Sequence, residues 1–159
     1  MSDGYKTLGF VLIVIWYAVI GLMAAFGTIW LNRKMLTVKR EQIFYAIFFL
    51  VVAAFYLVFL VYFEMPTAWQ SEAYAVLVFV VIGLAGLRSP VALIIGYSLH
   101  GLWDLVHEIQ AHGAWSGFEP GRLTAIPLAY GVFCAAYDFS MAVYFYRRRE
   151  EWNAAWKAA

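Results

Sequence analysis

The chain has 159 residues and a formal net charge of +1, and it is 65% hydrophobic but only 13% charged. A soluble domain of this length could not bury that much apolar side chain, so composition points to a membrane protein. The near-neutral balance, with no basic face interleaved with aromatics, argues against nucleic acid as a partner. The single cysteine, Cys134, excludes an internal disulfide.

Hydropathy predicts an all-α bundle of five transmembrane helices forming a single membrane domain over residues 1–159. The first helix is expected from Leu8 to Leu31 and the second from Ile43 to Phe63. Both stretches are uncharged and longer than the roughly 18 residues that suggest a spanning helix. The first is long for a secretory signal and lacks a basic start and a small-residue cleavage site, so it reads as a retained helix. The third is expected from Ala73 to Leu87. Arg88-Ser89-Pro90 then breaks the chain, because proline suits a helix start and not its interior. The fourth helix follows from Val91 to Gln110. A loop punctuated by Gly113, Gly117, Pro120 and Gly121 leads to the fifth, from Ile126-Pro127 to Tyr146.

Basic residues set the expected orientation. Arg33, Lys34, Lys39 and Arg40 fall in the first loop, Arg88 in the third, and Arg147, Arg148 and Arg149 after the last helix. The other two loops carry Glu64, Glu72, Glu119 and Arg122. This alternation puts the N-terminus outside and the C-terminus in the cytoplasm. Trp30, Trp69, Trp115, Trp152 and Trp156 lie near predicted boundaries, as an aromatic belt requires. Trp152 and Trp156 also suit a short interfacial helix.

The fourth helix carries the chemistry. With His100 at zero and about 100° per residue, Asp104 lies at about 40°, His107 at about −20° and Glu108 at about 80°. Ionisable groups are costly in a bilayer, so this stripe should face the bundle interior or a wet cavity. Rise along the two helices places Asp138 at the depth of His100, Cys134 near Asp104 and Tyr130 near His107. Gly131, Cys134, Ala135 and Asp138 share one face of the fifth helix, and small residues there would permit close contact with the fourth. A polar cavity opening outward between these two helices is the expected site.

Three functions fit this pattern. The first is a metal centre for zinc or another divalent transition ion, with His100, Asp104 and His107 as ligands and Asp138 as a fourth ligand or orienting group. Glu108 would then be the general base and Tyr130 a donor to a developing oxyanion. Metal-dependent hydrolysis of a lipid-like substrate, entering laterally from the bilayer, is the reaction such a site suits. The second is a small transporter or proton-coupled channel relaying through Asp104, His100 and Asp138. The third is a non-catalytic partner protein in which His100 and Asp138 pair to hold the bundle. Enzyme activity and oligomeric state stay open at this point.

His107-Glu108-Ile109-Gln110-Ala111-His112 is one residue too long for the HExxH zinc motif, so its imidazoles do not share a helical face. Three histidines are also too few for the His boxes of di-iron hydroxylases. His100-x-x-Trp103-Asp104-x-x-His107, followed by Ile126-Pro127, Cys134 and Tyr137-Asp138, resembles a group of small bacterial integral membrane proteins of uncharacterised function, the DUF6010-like group. The resemblance covers the fourth and fifth helices. It implies a bacterial inner-membrane protein and supplies no activity.

Overall fold

The computed structural model describes residues 2–112 and 117–158. α1 spans Ser2–Met35, α2 Val38–Tyr62, α3 Trp69–Gly86, α4 Pro90–His112 and α5 Tyr130–Lys157, with a 3-10 turn at Pro66–Ala68 ahead of α3. The described residues contain no strand. The chain is therefore all-α with the five helices that hydropathy predicts. Gly113 and Trp115 lie outside the described residues.

Apolar runs mark the middle of these helices and understate their ends. Arg33, Lys34, Lys39 and Arg40 lie within α1 and α2 rather than in a loop, because lysine and arginine are good helix formers. α4 starts at the expected break. Pro90 takes its first position and Ser89 Oγ accepts the Ala92 N–H at 3.3 Å, a side-chain cap on an otherwise orphaned donor. α5 starts later than expected, at Tyr130, because Ala129 at φ 57° turns the chain in the left-handed region and leaves Ile126 and Pro127 outside the helix. It also runs on from Tyr146 to Lys157.

That extension has a packing cause. Trp152 is fully buried, and it donates through Nε1 to Glu41 Oε2 at 3.1 Å. Arg148 reaches the same carboxylate at 2.8 Å, and the Tyr144 hydroxyl donates to Glu41 Oε1. Burial works against the Arg148 charge, but the Glu41 and Glu151 carboxylates outweigh it and hold its pKa above the usual guanidinium value. Trp156 donates to Gln42 Oε1 at 3.0 Å, and Gln42 Nε2 donates to the Gly86 carbonyl at 2.9 Å. Arg88 and Lys39 sit over the Trp156 ring at 4.1 and 5.3 Å. The end of α5 thus clamps the start of α2 and the α3–α4 turn. It is not a separate interfacial helix, and Trp152 is a core residue rather than part of an aromatic belt.

α4 and α5 form the most extensive antiparallel pair, and α1 lies along α5. α2 packs on α3 and α3 on α4, while α1 barely touches α2. The core between them holds Tyr45, Phe49, Tyr97, Met141 and Phe145. Outside, the molecule is strongly apolar: Phe26 is 75% exposed, Met23 68% and Trp16 65%. An apolar face of this kind marks contact with lipid or another protein. α1 from Thr7, α2, and the segment Pro66–Gly86 are each long and apolar enough to cross a membrane. α4 turns His100, Asp104, His107 and Glu108 inward, and α5 does the same with Asp138.

Candidate functional site

His100, Asp104, His107 and Glu108 are all buried, so the polar stripe of α4 faces the bundle interior. Two glycines let α5 approach it. A Cβ on Gly101 would stand 3.2 Å from Asp138 Cβ, and one on Gly131 would meet the Asp104 carbonyl and, at 3.0 Å, Glu108 Cβ. This close contact brings Asp138 to α4. His100 Nδ1 lies 2.7 Å from Asp138 Oδ2 and 3.1 Å from Asp104 Oδ2. Tyr56, on α2, donates its hydroxyl to Asp104 Oδ1. His100, Asp104 and Asp138 each offer one ligand atom, all within 4.8 Å of one another. Among the described residues, His100 Nε2 makes no hydrogen bond, and Asp104 Oδ2 has only the ion-pair approach of His100 Nδ1. Aromatic rings of Phe79, Phe49 and Tyr56 surround the His100 imidazole at 5.1, 5.7 and 5.7 Å.

The structure divides the expected ligand set. His107 lies on the same stripe but belongs to a second cluster. Its Nδ1 faces the Trp103 carbonyl at 2.9 Å and its Nε2 faces Glu72 Oε1 at 2.8 Å. Glu72 also accepts the Thr124 N–H at 2.8 Å and the Trp103 indole N–H at 3.4 Å. Glu72 thus gathers three side-chain and backbone neighbours, and each His107 nitrogen faces an oxygen. The pair ties α4 to α3 and to the segment before α5. Glu108 Oε2 accepts the Gly131 N–H at 3.0 Å. Gly131 is in the first turn of α5, where N–H groups lack intrahelical acceptors and a carboxylate is favoured. Tyr130 packs edge-on against Phe59, with ring centroids 5.1 Å apart.

A cavity of about 210 Å³ lies between α1, α2 and α5 and reaches the first cluster. α1 and α2 line it with Thr28, Phe48 and Val52, and α5 lines it with Tyr130, Cys134, Tyr137 and Asp138. Asp138 is therefore shared between the cavity and the His100 cluster.

Sequence reasoning gave Tyr56, Glu72 and Tyr137 no role in the site. Tyr56 had a signal: Tyr45, Phe49, Ala53, Tyr56 and Leu60 recur at helical spacing, and all five are buried. Glu72 stands just before the apolar run that begins at Ala73, so it reads as a loop residue until the helix is seen to start at Trp69.

No curated protein and no solved structure matches the chain. A model of DUF6010, a family of unknown function, matches residues 15–151, from within α1 to near the end of α5, and the chain belongs to that family.

Proposed function

We propose that this is a five-span membrane protein, N-terminus outside and C-terminus cytoplasmic in a bacterial inner membrane, that binds a divalent transition ion through His100, Asp104 and Asp138 and hydrolyses a lipid-like ester or amide. One observation carries the reading. Two carboxylates converge on a single imidazole where no side chain is more than 2% exposed. With both carboxylates ionised, even an imidazolium leaves that cluster with surplus negative charge, and uncompensated buried charge is strongly unfavourable. A divalent cation supplies the compensation, and mixed imidazole and carboxylate donors suit zinc or a neighbouring ion.

The chemistry follows from the shared position of Asp138. The ion would acidify a water and polarise the substrate carbonyl, and Asp138 would take that water's proton as its oxygen attacks the carbonyl carbon. The carbonyl π pair moves onto oxygen. When the adduct collapses, the departing alkoxide or amine takes the proton back from Asp138. Ester and water become acid and alcohol; amide and water become acid and amine. In this reading His107 and Glu108 hold the helices around the centre through Glu72 and Gly131, and Tyr130 lines the approach.

The relay alternative has less support. Tyr45, Phe49, Tyr97 and Phe145, all buried, form an aromatic plug. The plug stands between the His100 cluster and the polar clamp around Glu41.

Elemental analysis of the detergent-purified protein tests the proposal. Near-stoichiometric metal is expected in wild type, lost in His100→Ala and Asp138→Asn and kept in His107→Ala. Wild-type protein that takes up none of zinc, manganese or ferrous ion ends the metal reading. Proton flux into liposomes carrying metal-free protein, abolished by Asp138→Asn, would favour the relay instead.

A further inference from the structure

We propose that the cavity between α1, α2 and α5 is a docking site for a single-chain amphiphile bearing an ester or amide carbonyl, and that the Tyr137 hydroxyl donates a hydrogen bond to that carbonyl oxygen. The proposal rests on the hydrolytic reading and names its substrate class and a substrate-contacting residue.

Tyr137 is 7% exposed and lines the cavity, and its hydroxyl makes no well-formed hydrogen bond among the described residues. The Thr28 hydroxyl beside it gives its own proton to the Ala24 carbonyl at 2.8 Å, and its oxygen is the acceptor that a bound carbonyl would displace. A buried phenol with a proton to donate calls for an acceptor. Asp138, next along α5, is already held at 2.7 Å by His100.

The walls specify the rest of the ligand. Ala24, Phe48, Val52 and Phe55 make the α1 and α2 sides apolar apart from the Thr28 hydroxyl, while Tyr130, Cys134, Tyr137 and Asp138 put polar atoms on the α5 side. An alkyl chain fits the first and a carbonyl the second. α1 leans on α5 and barely on α2, so the space between α1 and α2 faces outward, where lipid would lie. A chain entering there sets its carbonyl beside Tyr137, with Asp138 and the proposed ion adjacent.

Photolabelling of the metal-loaded protein in nanodiscs tests this. The probe is the methyl ester of a diazirine-bearing fatty acid; the control is the matched diazirine alkane, which has no carbonyl. The ester is expected to label the α1 and α2 peptides around Thr28, Phe48 and Val52, and excess unlabelled ester should compete. Tyr137→Phe should lower apparent ester affinity by about three- to tenfold, as loss of one neutral hydrogen bond does, and leave alkane labelling unchanged. Val52→Trp should fill the cavity and reduce labelling by both probes, with metal content kept. Equal labelling by ester and alkane, or an ester preference unmoved by Tyr137→Phe, overturns the proposal. If the preference follows Tyr137 in a protein that binds no metal, the docking site stands and the hydrolytic reading falls. If metal binds but the preference ignores Tyr137, the reverse holds.

Discussion

His107 and His100 occupy one stripe of α4, yet substitution should separate them. His107 faces the Trp103 carbonyl through Nδ1 and Glu72 through Nε2. Glu72→Ala therefore leaves buried donors at His107 and Thr124 without their acceptor and should cost about 1–3 kcal/mol of stability. Thermal unfolding in detergent should show the loss, while elemental analysis shows metal retained. Tyr56→Phe should do the opposite. It removes the hydroxyl that orients Asp104, and metal affinity should fall by about 10- to 100-fold with little change in melting temperature, as for other groups that orient a ligand. Competition with a chelator measures this. The contrast also shows what residue-level reading could reach. Asp138 was legible as the partner of His100 because charge at a computed depth is a strong signal in an apolar chain. Tyr56 and Tyr137 were not, because a tyrosine in a run of Phe, Val and Leu carries no charge, and only the fold shows where its hydroxyl points.

At the scale of elements, α5 departs furthest from its hydropathy. The apolar count stops it near Tyr146, where the arginines begin, but Arg148 and Trp152 meet Glu41 and the helix continues. Aromatic residues near a boundary read equally well as lipid-facing or packed, so composition alone could not assign Trp152. Its burial predicts that Trp152→Ala costs about 3–5 kcal/mol through the cavity it leaves. Chemical denaturation in detergent checks this, and His100-dependent metal binding should survive. A second element-level prediction concerns the α2–α3 connection. Glu64 is exposed and sits at φ 52°, a region unfavourable for any side chain with a Cβ. Glu64→Gly should relieve about 1 kcal/mol and raise the unfolding midpoint.

For the whole molecule, helix number was legible because each apolar run exceeds a bilayer's needs or ends at a proline or glycine signal. The proposed orientation predicts a labelling pattern in a Cys134→Ala background. Gln70→Cys should react with an impermeant maleimide on intact cells, and Thr37→Cys only after permeabilisation; the reverse pattern inverts the topology. The arrangement of helices was less legible, since it depends on small-residue contacts and on polar groups that find partners far along the chain. The Glu41 clamp has a consequence in time. Its three partners lie 103, 107 and 111 residues downstream. During synthesis the first hairpin therefore emerges with a carboxylate whose partners have not yet been made. Glu41 must stay hydrated, or be shielded by an insertion factor, until Trp152 has left the ribosome, so this end of the bundle closes only after all five helices have been made.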